Sequence, residues 1–204
     1  MDISHSGTTE KMGEYKVVLA MTTISGYILT KVLGWKNTGE FPNVKKSIII
    51  FAPHTSYYDA VFGKLFLNEI DIKHRFLSKK ELFFFPMNIL MKWYGSIPIR
   101  GIKGENAIYQ VTKMLEEAKS LHVILSPEGT FAKVTNWNKG FYHMARKAKV
   151  PIVVGYLDYQ KKEIGIKGVI DNLADINSVT HQINTMYKDV TAKYPHNFSL
   201  ELKN

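Results

Sequence analysis

The sequence contains no cysteine. This absence excludes disulfide bonds, zinc sites built on thiolates and a cysteine nucleophile, and it fits a protein of a reducing compartment. The chain also lacks a Gly-x-Ser-x-Gly motif, which argues against a serine hydrolase of that type. The seven histidines are scattered and no His-Glu-x-x-His motif is present, so we expect no metal site.

The sequence also lacks an apolar run long enough to cross a membrane. The candidate segment lies between Lys16 and Lys31, and its 14 residues would form a helix of only about 21 Å against a hydrocarbon core of ~30 Å. The segment is interrupted by hydroxyl side chains and is not followed by the small-residue cleavage site of a signal peptide. Two interpretations stay open: an interfacial amphipathic helix ending at Trp35, or an amphipathic helix packed on its own domain.

The remaining composition is that of a globular protein with a basic surface. The 204 residues are 45% hydrophobic and 22% charged, with a net charge of +9 and a pI of about 9.5. Such a charge favours an anionic partner: phosphate groups, nucleic acid or an acidic membrane surface. We expect residues 1–40 to form an N-terminal tail with the amphipathic helix, and residues 41–204 to form one α/β domain.

Buried strands alternate with helical patterns along the chain. Strands are predicted at 48–52, 74–78, 121–125 and 151–156, with an edge strand at 163–169 and a closing helix at 176–194. This order favours an α/β fold with a mostly parallel central sheet flanked by helices. Right-handed crossovers would then bring the turns at His54, Arg100 and Glu128 to one rim of the sheet.

The turn after the first long strand places an imidazole five residues before a carboxylate, His54 and Asp59. On one continuous helix these residues would lie on different faces, so they can meet only if His54 precedes the helix. Ser56 is a candidate N-cap, which makes Asp59 the N3 residue. Asp59 could then accept a bond from Nδ1 of His54 and leave Nε2 free to take a proton from a hydroxyl. The alternative is a capping box, with Asp59 bonded back to Ser56 and His54 merely polar.

A long apolar stretch occupies residues 82–94. It is interpreted as core, or as a groove for an apolar chain, since methionine and aromatic side chains line adaptable pockets. Lys79 and Lys80 precede it and Arg100 follows it. A guanidinium at a strand end can hold a phosphate with two hydrogen bonds, although it can also be a solvated surface charge.

A second polar turn, Pro127-Glu128-Gly129-Thr130, follows the buried strand at 121–125, and Lys133 lies close by. The residues suit a plain type I turn. They also place a carboxylate and a hydroxyl at a strand end, where open α/β sheets bind ligands.

Four blocks, taken in order, resemble the glycerolipid acyltransferase family, whose best-known class acylates 1-acylglycerol-3-phosphate. The blocks cover about half the chain, from residue 47 to residue 154. They are His-x4-Asp at His54 and Asp59, the Lys-Glu-Leu…Pro…Gly stretch from Lys80 to Arg100, Pro-Glu-Gly-Thr at Pro127 to Thr130, and Val150-Pro151-Ile152.

Two departures from the family pattern concern cations. The family usually has Asp-Arg at the end of the second block, whereas here Ile99 precedes Arg100 and the arginine sits one place early. The family also has arginine after Glu-Gly-Thr, where this chain has Phe131, and Lys133 could supply the missing cation.

The resemblance implies transfer of an acyl group from acyl-CoA or acyl carrier protein to a lysolipid hydroxyl in phospholipid biosynthesis. The first candidate for the acceptor is 1-acylglycerol-3-phosphate. No cofactor is expected beyond this acyl donor, and the expected location is peripheral, on the cytoplasmic face of a membrane such as the bacterial inner membrane. His54 would be the base and Asp59 its orienter. The expected substrate contacts are Lys79, Arg100 and Thr130 for phosphate, Glu128 for the glycerol end, and Gly129 and Lys133 nearby.

Three other functions remain as alternatives. An acyltransferase could act on another lysolipid or on an amino-acid lipid, which the departures at Arg100 and Phe131 favour. A hydrolase could release the acyl group to water. A non-catalytic protein could use the basic surface to bind anionic lipid or nucleic acid, although no nucleic-acid module is visible and no nucleic-acid partner is expected.

Overall fold

The computed structural model describes residues 22–99 and 105–200. A seven-stranded sheet runs through the centre in the order β1-β7-β6-β2-β5-β3-β4. All neighbouring strands are parallel except β6 and β7, which are antiparallel. The strands are β1 Lys36–Thr38, β2 Lys46–Ala52, β3 His74–Lys79, β4 Ser96–Ile99, β5 Leu121–Leu125, β6 Ile152–Asp158 and β7 Glu163–Ile170. The predicted α/β fold with a mostly parallel sheet is confirmed.

Helices cover both faces of the sheet. Residues 22–27 are helical and continue into a π-helical turn, Ile28–Val32. The longer helices are α1 Tyr57–Glu69, α2 Met87–Tyr94, α3 Glu105–Glu117, α4 Gly140–Ala148 and α5 Ile176–Tyr187. Short 3₁₀ turns occur at Lys80–Leu82 and Pro195–Asn197. No helix within the described ranges is long and apolar enough to span a membrane.

The central strand β2 shows how the sheet divides the core. Ile48 and Ile50 pack into a cluster with side chains of α3, α4 and α5, whereas Ile49 and Phe51 pack into a second cluster with α1. Successive side chains of a strand point to opposite faces, so a strand covered on both sides is apolar at every position. This double coverage explains why residues 48–52 of β2 read as a continuous apolar run in the sequence.

The edge of the sheet differs from the prediction. The predicted edge strand at 163–169 corresponds to β7, which lies inside the sheet between β6 and β1. The edge position belongs to β1, which falls within residues 1–40, predicted as a tail and helix outside the α/β domain. Three residues are too few to show an alternating pattern. Gly165 allows this pairing, because a Cβ there would clash with the carbonyl oxygen of Thr38.

The closing helix is shorter than predicted. It ends at Tyr187 rather than near Tyr194. The chain leaves the helix there and returns to the carboxyl ends of the strands, where the Tyr159 amide donates to the Thr191 carbonyl and the Tyr194 amide donates to the Thr55 hydroxyl. These tertiary hydrogen bonds outweigh the helical preference of the last residues.

The N-terminal helical segment packs on the sheet through part of its surface. Leu29 and Trp35 are buried, and the Trp35 ring contacts Phe62 and Tyr159 at centroid distances of 4.7 and 5.0 Å. Trp35 therefore sits in the core and does not form the end of an interfacial helix. Residues 1–21, which include the start of the predicted amphipathic helix, lie outside the described ranges.

Candidate active site

The turn between β2 and α1 is organised by the carboxylate of Asp59. Its Oδ2 accepts hydrogen bonds from the backbone amides of Thr55 (2.7 Å) and Ser56 (2.8 Å). Ser56 caps α1 with its hydroxyl, so Ser56 and Asp59 form a complete capping box. The predicted N-cap and N3 positions are confirmed, and the capping box fixes the carboxylate relative to the turn.

His54 lies in the turn ahead of the helix, as its spacing from Asp59 required. Its Nδ1 is 3.6 Å from Oδ2 of Asp59, which is too long for a hydrogen bond and would form an ion pair only with a protonated imidazole. Oδ2 of Asp59 thus accepts the hydrogen bond of the capping box and also faces the imidazole of His54. The capping box is therefore present, whereas the predicted hydrogen bond from Nδ1 of His54 to Asp59 is not formed at this distance.

The protonation state of His54 suits a base. The side chain is 25% exposed, whereas that of Asp59 is 2% exposed. Burial lowers the pKa of His54 from 6.5 to about 4, so the imidazole is neutral at pH 7 and can accept a proton.

A tyrosine from a distant part of the chain holds the other oxygen of Asp59. The hydroxyl of Tyr159 donates to Oδ1 across 100 residues of sequence. Burial raises the pKa of Asp59, and the bonds from Tyr159, Ser56 and Thr55 oppose that rise by stabilising the charged form. Burial and the neighbouring Asp59 together raise the pKa of the Tyr159 phenol, which stays a donor.

Glu128 supports the same turn from the neighbouring strand. Its Oε1 accepts a hydrogen bond from the backbone amide of His54 (2.9 Å), and its Oε2 accepts one from the Ser126 hydroxyl (2.7 Å). Burial raises the pKa of Glu128 to about 7. Gly129 follows with a φ of +66°, a left-handed conformation that favours glycine.

A cavity of about 330 Å³ opens beside His54. Where the strands end, its wall is polar and includes Ser78, Lys79, Ser126 and Thr130. The rest of the lining is largely apolar and includes the following residues of the sheet and its flanking helices: Phe51, Ala60, Gly63, Phe76, Leu77, Leu82, Tyr94, Ile99, Ile124 and Leu125. The cavity therefore offers one polar end beside the imidazole and a long apolar wall.

The structure brings most of the predicted site residues to this cavity. The lining contains His54, Asp59, Lys79, Gly129 and Thr130. Glu128 contacts the backbone of His54 without being part of the lining.

The two remaining predicted residues are not placed at the cavity. Lys133 is exposed and is absent from the lining. Arg100 lies outside the described residues, directly after Ile99, which does line the cavity.

Three residues that contribute to the site were not predicted from the sequence as site residues. Tyr159 follows directly after β6, whose carboxyl end lies at the same edge of the sheet as that of β2, so the strand-end rule could have reached it. Ser126 carries no signal beyond its place before Glu128. Phe131 packs its ring 4.7 Å from His54 and 4.6 Å from Tyr57, so an aromatic side chain lies against the imidazole where the resemblance predicted a cation.

The remaining polar chemistry of the site is carboxylate, hydroxyl and amine. Within residues 22–99 and 105–200, no group of three or more His, Asp or Glu side chains is placed to hold a metal ion. The arrangement of a neutral imidazole, a buried carboxylate behind it and an apolar cavity beside it is suited to removing a proton from a hydroxyl next to a hydrophobic chain.

Comparison with known proteins agrees with this chemistry. The family model named Acyltransferase matches residues 34–156, which is more than half of the chain. The crystal structure of the 1-acyl-sn-glycerophosphate (LPA) acyltransferase PlsC from Thermotoga maritima superposes with a TM-score of 0.60 at 14% sequence identity, over 88% of this chain and 80% of that chain. That likeness shows a shared fold. No curated protein sequence matches the chain. The chain belongs to the acyltransferase family, and the resemblance seen in its sequence blocks is confirmed at the level of that family.

Proposed function

We propose that the protein transfers an acyl group from an acyl thioester to the free hydroxyl of a lysolipid, with 1-acylglycerol-3-phosphate as the first candidate acceptor. The observation that carries the proposal is the neutral His54 beside Asp59 at the polar end of an apolar cavity. A thioester already has a good leaving group, so direct attack by an alcohol needs a base and positioning rather than a covalent enzyme intermediate.

The proposed step balances without a cofactor. Nε2 of His54 takes the proton of the acceptor hydroxyl while its oxygen attacks the thioester carbonyl carbon. The carbon–sulfur bond then breaks, and the departing thiolate takes the proton from the imidazolium. Asp59 stabilises the transient positive charge, and we expect its 3.6 Å separation from Nδ1 to shorten when substrate binds. The products are an ester and a free thiol, either coenzyme A or acyl carrier protein.

The contacts of Glu128 support a role in positioning the base. Both of its oxygens accept hydrogen bonds from the protein, one of them from the amide of His54. This contact ties the base to β5 as well as to β2. We therefore assign Glu128 to holding the His54 turn, in place of the glycerol contact that the resemblance implied.

The acceptor head group would meet the polar wall of the cavity. Lys79 and Thr130 are our candidates for phosphate contacts, because an ammonium and a hydroxyl are both donors to phosphate oxygens. Arg100 stays a predicted contact from the sequence.

The ring of Phe131 is the one observation that favours a different acceptor. This ring lies tilted against that of His54, where the resemblance implies a cation for the phosphate, so an acceptor with less negative charge is the second candidate. Such an acceptor could be another lysolipid or an amino-acid lipid.

The decisive experiment measures acyl transfer from labelled acyl-CoA and labelled acyl carrier protein to a panel of acceptors. The panel contains lysophosphatidate, zwitterionic lysophospholipids, monoacylglycerol, an N-(3-hydroxyacyl) amino acid and a water-only control. We expect lysophosphatidate to be acylated fastest. His54→Ala should lower kcat/KM by about 10³-fold or more, since general base catalysis contributes 10²–10⁴-fold.

His181→Ala is the matched control, because it removes an exposed imidazole from α5 and should keep full activity. Lys79→Met should raise KM for lysophosphatidate and leave KM for monoacylglycerol unchanged. Loss of thioester without an acylated product would identify a hydrolase instead, and full activity in His54→Ala would overturn the mechanism.

A further inference from the structure

The segment from Leu82 to Trp93 exposes an unusual amount of apolar surface. None of the eight residues of α2, all of them within the described ranges, is fully buried. Met87, Met91 and Tyr94 follow the i, i+4, i+7 spacing of one helix face and are half-buried against the domain. Other apolar side chains of the helix and of the turn before it are exposed, and we call them the apolar wedge: Phe84, Phe85, Ile89, Leu90 and Trp93.

The exposure of the wedge is too large for scattered surface residues. Phe85 is 80% exposed and Trp93 is 77% exposed, and all five side chains fall within ten residues of sequence. Soluble proteins expose single apolar side chains freely, but a contiguous cluster of this kind marks an interaction site.

The charges around the wedge point to a lipid surface. Lys79, Lys80 and Lys92 are exposed on and beside it, and Glu81 is the single acidic residue between Lys79 and Tyr94. Aromatic and branched aliphatic side chains combined with lysines are the composition of segments that lie in a membrane interface and attract anionic lipid. A second copy of the chain would bring these lysines against each other, which disfavours self-association.

The wedge lies next to the mouth of the cavity. Lys79, Leu82 and Tyr94, which flank the wedge in sequence, all line the cavity that contains His54. The Tyr94 hydroxyl also donates to the carbonyl of Ala60, which attaches α2 to the first turns of α1. A surface that meets the wedge therefore lies beside residues that line the cavity.

We propose that the apolar wedge inserts into the interface of a bilayer containing anionic lipid and docks the cavity mouth on that leaflet. This inference deepens the proposed function. It rests on that function in one respect, because a lysolipid acceptor is the reason for the cavity to face lipid. The wedge, rather than the N-terminal helical segment whose Leu29 and Trp35 are buried, is then the main lipid contact among the described residues.

Tryptophan fluorescence tests the insertion directly. The chain has three tryptophans, and Trp35 and Trp137 are 5% and 4% exposed, so a change on vesicle binding reports Trp93. We expect a blue shift on adding phosphatidylcholine vesicles that contain phosphatidylglycerol, and quenching of the shifted emission by brominated acyl chains. Trp93→Phe should lose the optical change while vesicle sedimentation still shows binding.

Paired variants locate the contact. Leu90→Asp should weaken vesicle binding by about tenfold, and Ile89→Asp combined with Leu90→Asp by about a hundredfold, because each substitution removes an apolar side chain from the interface and adds a charge that anionic lipid repels. Tyr27→Ser with Val32→Ser removes exposed apolar surface from the N-terminal segment, and Tyr109→Ser removes it from α3. Both controls should bind vesicles within twofold of the wild type.

Three results would overturn the proposal: unchanged binding in the Ile89→Asp, Leu90→Asp double variant, equal losses in the two controls, or no shift of Trp93. Light scattering that shows a wild-type dimer dissociated by Leu90→Asp would assign the wedge to self-association instead. Vesicle binding is measured without turnover, so an enzyme that docks but transfers no acyl group would refute the proposed function alone. The wedge variants should keep acyl transfer between short-chain, water-soluble substrates, because neither Ile89 nor Leu90 lines the cavity.

Discussion

The backbone amide of His54 donates a hydrogen bond of 2.9 Å to the carboxylate of Glu128, 74 residues further along the chain. The two residues follow β2 and β5, which are parallel neighbours in the sheet. The polar turn of one strand thus fixes the position of the imidazole carried by the other. Neither turn can shift without disturbing that bond.

Substitutions of Glu128 distinguish between two roles for this residue, positioning of His54 and direct contact with the substrate. Glu128→Gln keeps an acceptor for the His54 amide, so we expect less than a tenfold fall in kcat, whereas Glu128→Ala should lower kcat by about 10²-fold with little change in KM. Steady-state kinetics with lysophosphatidate check this split. A rise in KM in both variants would restore the glycerol contact that the resemblance implied.

Glu128→Gln should also change how the stability of the protein depends on pH. The folded pKa of Glu128 is about 7 and its ordinary value is 4.5, so between these values the folded state binds more protons than the unfolded state. The contribution of Glu128 to the free energy of unfolding therefore falls as pH rises through this window, by up to about 3 kcal/mol. Glu128→Gln should be more stable than the wild type at pH 8 and similar to it near pH 4.5, as measured by urea unfolding.

Tyr159→Phe tests the support behind Asp59. The phenylalanine keeps the ring contact with Trp35 but removes the hydroxyl that stabilises the Asp59 carboxylate, so the pKa of Asp59 should rise further. We expect kcat to fall about tenfold and the acid limb of the pH–rate profile to move to higher pH. Tyr156→Phe is the control, because Tyr156 lies in β6 three residues before Tyr159 but its hydroxyl bonds to Thr38, and it should leave the profile unchanged.

Gly63→Leu probes the apolar wall of the cavity. Gly63 lines the cavity and is buried in α1, and a Cβ added there would meet no atom within 4 Å. Leucine should therefore fill cavity space and shift preference toward shorter acyl chains in a competition among thioesters of different length.

Gly63→Ala is the mild control for this shift. It should raise the free energy of unfolding by about 0.5–1 kcal/mol, because glycine within a helix is destabilising. An unchanged chain-length preference in Gly63→Leu would mean that the acyl chain does not run past α1.

Acid stability should be limited by buried histidines. Burial lowers the pKa of His122 and of His74 to about 4, so between pH 6.5 and 4 the unfolded state binds more protons than the folded state. The free energy of unfolding should fall by up to about 1.4 kcal/mol per pH unit for each histidine as the pH drops through this window. His122→Asn should reduce the dependence of the free energy of unfolding on pH by the contribution of about one proton. Urea titrations at pH 7, 6 and 5 measure this dependence. An equal slope would show that His122 does not titrate in this range.

Much of the site could be predicted because it follows from strand ends. His54 and Glu128 each come directly after a buried apolar strand, and parallel strands collect such turns at one edge of the sheet. The N-cap at Ser56 then determined on which side of the helix start Asp59 would lie. Local sequence is sufficient where a side chain acts within its own turn.

Other parts depend on long-range packing that no local pattern records. Tyr159 reaches Asp59 only because β6 lies beside β2, and β1 pairs with β7 only because Gly165 leaves room for the carbonyl of Thr38. The apolar stretch at 82–94 presented the same difficulty. Its composition is typical of core, and only the fold reveals that Met87 and Met91 face inward while Ile89 and Trp93 face outward.

The contact between Trp35 and Tyr159 has a practical consequence for N-terminal truncation of the protein. A fragment starting at residue 41 would delete the indole that abuts Tyr159, together with the strand that completes the sheet beyond β7. Tyr159 would lose the ring contact that helps to orient its hydroxyl toward Asp59. β7 would become an edge strand with unpaired backbone groups, which can pair with other chains. A fragment that keeps these contacts therefore has to begin ahead of Leu29, which is itself buried in the core.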